Sequence, residues 1–331
     1  MKEIKSKIKA VMLGHAIGDA LGVPVEFLSR DKLDTSPVTE MKGFGTYYVP
    51  AGAWSDDTSM SLAALESLAK GEINYFEIMV NFSKWLEEGM FTPTGDTFDV
   101  GKTCLRSILD FIYACYSKEN SCFMPSEFDI TKCGQQGEFY NGNGSLMRIH
   151  PFTLMTWTDK SLKPNFEEII DKASALTHGH ERSKLACRIY SLILFNLLDM
   201  PTKYSVNLAL NMAKCRYCQS PEYEHFERLF DVNFDKLDRD SIKSSGYVID
   251  TLEAAVWCLL TTDSYKECVL KAVNLGDDTD TVAAIAGGLA GALYGYDAIP
   301  KEWLDTLIKR DYIEELCEQA AEAWWAPNDD E

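Results

Sequence analysis

The chain has 331 residues, of which 46% are hydrophobic, 11% aromatic and 25% charged, enough apolar material for a large core and unlike a disordered polypeptide. Its formal charge of −19 disfavours general attraction to nucleic-acid phosphates or anionic lipid, so an anionic ligand must be held locally, by cations or backbone amides. No apolar run approaches the roughly 20 residues of a membrane span, the opening MKEIKSKIKA lacks a signal-peptide apolar stretch, and ten scattered cysteines suit reduced thiols, so the expected setting is soluble and cytoplasmic, with no membrane and no nucleic-acid partner.

Apolar residues recur at spacings of three and four over 4–21, 59–68, 75–86, 100–116, 166–176, 182–198, 247–260 and 265–273, which predicts amphipathic helices. Alternating strand patterns are nearly absent and no fixed-period repeat interrupts the chain. With no Pro-, Gly- or Ser-rich linker, the expectation is an all-α, single-domain multi-helix bundle over residues 1–331, acting as a monomer. Cys215 and Cys218 form a CxxC without a second pair or a nearby His, and are read as ordinary helix residues.

The segments that carry chemistry fall between these helices or at their starts, where carboxylates and free amides can face a shared cleft. In GHAIGDALGVPVEF, Pro24 should stop the first helix and leave Glu26 on a loop, while Asp19 should support helix packing. In WSDDTSM, Ser55, Asp56, Asp57 and Thr58 open the next helix, a pattern that an N-cap with acidic first-turn residues would also explain. Asp99, in FDVGKT, is a helix N-cap candidate. The run from Asn141 to Ser145 could be a Gly/Asn turn or a nest whose amides approach a diphosphate.

A second acidic helix start lies far away: Asp277, Asp278, Thr279, Asp280 and Thr281 precede AAIAGGLAGALYG. Capping needs one or two acids, whereas four or five brought together would repel one another without a counter-charge. Hard divalent cations supply that charge, and Asp carboxylates with hydroxyls suit Mg²⁺ or Mn²⁺; the absence of His and Cys from both clusters argues against zinc. The small residues after Asp280 would allow close helix packing behind the site.

Taken in order, GDALGVPVEF, SDDT, NGNGSLMR and GDDTDT resemble the ADP-ribosylglycohydrolase family, in particular its branch typified by dinitrogenase reductase-activating glycohydrolases, over residues 10–295. That resemblance implies an all-α fold and two Mg²⁺ or Mn²⁺ ions, with Ser55, Asp56 and Asp57 on one side and Asp278, Asp280 and Thr281 on the other. Ser55 stands where the family more often has Thr, and Asp277 lies outside the pattern. The resemblance also implies that Glu26 sits on a mobile loop over the scissile bond and that Asp99 lies beside the metals, the two being the acid/base candidates. Gly142, Asn143, Gly144, Ser145, Met147 and His178 should contact ADP-ribose, and Gly246, Tyr247 and Val248 should line its adenosine end. The implied reaction is hydrolysis of an ADP-ribosyl bond on protein, with arginine the expected acceptor and ADP-ribose the product. Serine-linked ADP-ribose, O-acetyl-ADP-ribose and modified nucleic acid are alternatives within the same chemistry; a non-catalytic, crystallin-like protein is the alternative outside it, opposed by retention of all six ligands.

Overall fold

A computed structural model describes residues 1–116 and 129–325, and within them the chain is helical with no strand beyond two isolated bridges. The helices are α1 (Lys2–Gly22), α2 (Arg30–Thr35), α3 (Asp56–Leu68), α4 (Tyr75–Glu88), α5 (Lys102–Tyr116), α6 (His150–Thr158), α7 (Phe166–Ala175), α8 (Glu181–Asp199), α9 (Lys203–Tyr217), α10 (Val248–Leu260), α11 (Tyr265–Val273), α12 (Thr279–Tyr294), α13 (Lys301–Thr306) and α14 (Arg310–Trp324).

The periodic segments of the sequence correspond to α1, α3, α4, α5, α7, α8, α10 and α11 with their ends moved by a few residues, and α12 follows the second acidic cluster. Helices α2, α6, α9, α13 and α14 were not anticipated. In α6, residues 150–156 are all buried, so the helix is enclosed on every side and carries no polar stripe from which to read a period. In α9, exposed Leu208 and Met212 blur the apolar face formed by Val206, Ala209, Leu210 and Ala213. The buried face of α14 is regular but built partly from Ala320, Ala321 and Cys317.

The centre of the bundle is the α1/α12 pair. A Cβ added at Gly18 would lie 2.0 Å from the Ala283 carbonyl oxygen, and one at Gly22 would lie 2.3 Å from the Asp280 Cα, so the backbones touch where a side chain would separate them. This crossing brings the end of α1 to the start of α12. Around it, α3, α6, α11 and α14 pack on α1, while α3, α8, α10 and α11 pack on α12.

Lys2–Val25 is long and apolar enough, by length and composition, to cross a membrane, which corrects the expectation that no run approaches a span. In this fold 83% of its apolar window is buried, as the central position of α1 requires. Cys104, Cys133, Cys187, Cys258, Cys268 and Cys317 are buried thiols, and Cys215 and Cys218 are exposed ones; Cys122 lies outside the described residues.

Candidate active site

The two acidic helix starts meet. Ser55 caps α3 in extended backbone geometry, its hydroxyl accepting the Asp57 N–H at 3.3 Å, so Asp56 and Asp57 occupy the first turn. Asp19, buried in α1, accepts the backbone N–H of Ser55 at 2.8 Å, that of Thr58 at 3.0 Å and the Thr58 hydroxyl at 2.6 Å. It therefore satisfies amides that a helix start leaves unpaired, and holds the first cluster against the central helix. Burial raises its pKa to about 6, against the pull of those hydrogen bonds.

At the start of α12, Asp278 occupies the cap position and accepts a hydrogen bond from the Asn143 amide at 2.9 Å; the same amide donates to Thr251 at 3.0 Å. The Thr281 hydroxyl donates to Asp57 Oδ2 at 3.2 Å, and the Ser55 hydroxyl donates to the same oxygen at 3.2 Å. One carboxylate oxygen thus gathers a hydroxyl from each cluster.

Glu26 follows a short 3₁₀ turn, Val23–Val25, which contains Pro24 and takes over where α1 stops at Gly22, and its side chain is buried. Carboxylate oxygens of Glu26, Asp99 and Asp280 all lie within 4.8 Å of one another. Burial, and then the neighbouring Asp99 charge, push the Glu26 pKa up to about 9. Asp99 is also raised, by burial. Asp56, Asp57 and Asp280 are held well above the usual carboxylate range by burial first and then by neighbouring carboxylates, Asp99 for Asp56, Asp19 for Asp57 and Glu26 for Asp280. Among the described residues none of these acids forms an ion pair with Lys, Arg or His, and Glu26 Oε2, Asp57 Oδ1 and Asp280 Oδ2 are buried without a hydrogen-bond partner.

Asp99 is not the N-cap of α5. Its backbone is left-handed at φ 51°, and α5 begins three residues later, which turns the carboxyl towards the acidic cluster. Gly101 donates its N–H to Asp56 Oδ2 at 3.4 Å, tying this loop to the first cluster.

A cavity of about 200 Å³ adjoins these acids and is lined by Glu26, Asp56, Asp99, Asp278 and Thr281 together with Gly142, Asn143, Gly144, Met147, His178 and Gly246. Two loops form its far wall by pairing like short strands: Asn143 N–H to Gly246 O and Val248 N–H to Asn141 O, each 3.0 Å. A Cβ on Gly144 would lie 2.7 Å from Cys104 Sγ and 2.9 Å from the His178 ring, so this position admits no side chain. Burial drives the His178 pKa down to about 3, leaving a neutral imidazole whose Nδ1 pairs with Thr177 Oγ1 at 2.9 Å. Gly142 and Gly246 also border a second cleft of about 400 Å³, with Tyr247, Arg182 and Phe139.

Two expected contact residues do not line either cleft. The Ser145 side chain is buried against Ser174 and Cys187, and Val248 is in the core at the start of α10; each neighbours a lining residue, but the local turn points its side chain the other way. Asp277 is exposed and joins the Glu26 loop through its backbone, with Phe27 N–H donating to Asp277 O at 2.7 Å. Sequence reasoning missed Tyr47, whose hydroxyl lies beside Glu26 and Asp99 and opposes the rise in the Glu26 pKa. Its ring rests on Phe98 at 5.0 Å between centroids. Arg182 was also missed; its guanidinium lies over the Tyr247 ring at 5.9 Å and is held by Glu222 at 2.7 Å.

The donor set is entirely oxygen, its acids are crowded without an organic cation, and three of its buried oxygens lack partners; these features fit hard divalent cations.

A sequence model described as ADP-ribosylglycohydrolase matches residues 1–329. The chain is 34% identical to the ADP-ribosylarginine hydrolase Tri1 of Serratia proteamaculans (strain 568), covering 99% of this chain and 82% of the relative. It is 32% identical to the ADP-ribosyl-[dinitrogen reductase] glycohydrolase of Rhodospirillum rubrum, covering 92% of this chain and 91% of that one. A solved structure titled ADP-ribosylglycohydrolase-related protein complex superposes with a TM-score of 0.78 at 27% identity, over 98% of this chain and 100% of that one.

Proposed function

The chain belongs to the ADP-ribosylglycohydrolase family and is a glycosyl hydrolase acting on ADP-ribosyl bonds, and from that premise we propose that it releases ADP-ribose from ADP-ribosyl-arginine on protein with two divalent cations. The observation that carries the metal-dependent part is the meeting of Asp57 with Thr281, which joins two acidic clusters that charge repulsion alone would drive apart. Ser55, Asp56, Asp57, Asp278, Asp280 and Thr281 would hold Mg²⁺ or Mn²⁺. Such ions, when bound, neutralise the acids, orient sugar hydroxyls and make water a better nucleophile.

The protein's own groups divide the remaining work. Glu26, whose pKa burial and then the Asp99 charge raise to about 9 in the cation-free protein, is the candidate to pass a proton to the leaving nitrogen as the glycosidic bond breaks. Asp99, within 4.8 Å of Glu26, is the other acid/base candidate, and Tyr47 is placed to orient both. The neutral His178 and the glycine loop leave room for the ribose and diphosphate. The cleft beyond Gly142 and Gly246 offers Tyr247 as a face for the adenosine end.

The decisive assay incubates the protein with an arginine-linked ADP-ribosyl peptide in Mg²⁺, Mn²⁺ or excess chelator and follows free ADP-ribose. Release with cation and none after exhaustive chelation is expected. Undiminished turnover in chelator overturns the metal assignment, and no release under any condition overturns the arginine assignment.

A further inference from the structure

A strap between Gly43 and Pro50 lies against the Glu26 loop. Thr46 fastens it from both its groups: its N–H donates to the Pro24 carbonyl at 3.1 Å and its hydroxyl to the Glu26 carbonyl at 2.8 Å. Phe44 N–H donates to Val49 O at 2.5 Å and closes the strap on itself. Tyr47 turns inward to Glu26 and Asp99, whereas its neighbours do the opposite.

Phe44 is 58% exposed and Tyr48 82% exposed, and their rings meet edge to face at 5.8 Å. Phe27, next to Glu26 in the chain, is 68% exposed. All three have left-handed backbones, with φ of 65°, 60° and 64° respectively. Bulky L residues adopt that conformation only when their surroundings impose it. The fold therefore spends conformational energy to hold three aromatic rings in water on the strap and the loop that carry Tyr47 and Glu26 to the acidic cavity. Internal packing does not account for them, since little of each ring is covered.

We propose that this aromatic rim is the docking surface for the polypeptide that carries the ADP-ribosyl group, and that it accepts a basic, arginine-containing stretch. The proposal rests on the hydrolase reading above and specifies its substrate. Guanidinium and ammonium groups stack on aromatic faces, and the −19 chain draws basic polypeptides towards it. Lys42, beside the strap, is paired with Glu40 at 3.5 Å, which limits its repulsion of such a partner. The rim also adjoins the Glu26 part of the cavity, whereas the second cleft shares Gly142 and Gly246 with the cavity but not Glu26, so a substrate with its adenosine in that cleft would project its aglycone towards the Glu26 side.

The test compares wild type with the double variant Phe44→Ser, Tyr48→Ser on two substrates: an arginine-rich peptide bearing one ADP-ribosyl-arginine, and free ADP-ribosyl-arginine. The KM for the peptide should rise about tenfold in the variant, with kcat/KM on the free amino acid within about twofold of wild type. Phe44→Tyr with Tyr48→Phe should restore the peptide KM, and an acidic-flanked peptide should bind wild type poorly. An unchanged peptide KM, or an equal loss on both substrates, overturns the rim. So does a wild-type dimer that the double variant abolishes without changing peptide KM, since the rings would then join two copies of the chain. Inactivity of wild type on both substrates instead removes the arginine reading, and the rim as a site for arginine-containing chains falls with it.

Discussion

The Thr281 hydroxyl donates to Asp57 Oδ2 at 3.2 Å although 224 residues separate the two. The α1/α12 crossing makes this contact, because it sets the first turns of α3 and α12 side by side. Replacing Thr281 with Val preserves shape but removes the hydroxyl. Losing an oxygen that both orients Asp57 and can serve as a ligand should weaken cation affinity by roughly 10–100-fold. Activity measured against Mn²⁺ concentration should shift to higher midpoint while approaching the wild-type plateau; an unchanged midpoint would show that Thr281 is purely structural.

Asp56→Asn and Asp278→Asn each remove one negative charge with almost no change in volume. Activity should fall by two or more orders of magnitude in both, because each deletes an anionic donor from the proposed centre. The fold should survive, since Asn can still accept the hydrogen bonds from Gly101 or Asn143. In chelator, the melting temperature of either variant should equal or exceed that of wild type, as repulsion among the acids is relieved. Near-normal rates would mean that the centre lies elsewhere.

The raised carboxyl pKa values also fix a direction for stability. Glu26 moves from 4.5 to about 9, so between those values the folded state binds more protons than the unfolded state. Stability of the cation-free protein should therefore fall as pH rises through that window, and Asp56, Asp57 and Asp280, shifted the same way, reinforce it. Added Mg²⁺ or Mn²⁺ supplies the missing positive charge and should flatten the slope. Thermal melts in chelator from pH 5 to pH 8 check the sign; a melting temperature that rises with pH would contradict it.

Much of this site was legible because its chemistry sits at helix starts. Asp56, Asp57, Asp278 and Asp280 stand out as more acids than capping requires, and the glycines of NGNGS mark a close approach. Periodicity could not reveal that the two clusters share an oxygen, since that contact depends on how α1 crosses α12. Ser145 and Val248 belong to segments that line the two clefts, but a turn and a helix start rotate their side chains into the core. Asp99 resembled a cap until its left-handed backbone turned it to the acids. Tyr47 gave no signal, being one aromatic in a loop whose path is set by Pro24 and Glu26 twenty residues earlier.

The final prediction concerns the linkage. Arginine-linked ADP-ribose should be cleaved with a higher specificity constant than serine-linked ADP-ribose on otherwise identical peptides. The substrate guanidinium is already cationic and departs as neutral guanidine, a strong base that takes up a proton as the bond breaks, so a carboxylic acid that still carries a proton at neutral pH assists its release. Glu26 is the candidate for that acid: it is buried, and in the cation-free protein burial and the charge of Asp99 raise its pKa to about 9. An O-glycosidic bond to serine also gains from a proton donor, so the acid alone does not choose between the two. The surrounding charge adds to the preference, because five carboxyl groups at the cavity, those of Glu26, Asp56, Asp99, Asp278 and Asp280, favour approach of a cationic aglycone over a neutral one. The comparison is sharpened by Glu26→Gln, which keeps the shape but removes the proton. If protonation of the leaving nitrogen is the demanding step, that variant should lose more on the arginine substrate than on the serine one. Equal or higher wild-type efficiency on serine would reverse the assignment of the acceptor while leaving the reaction class intact.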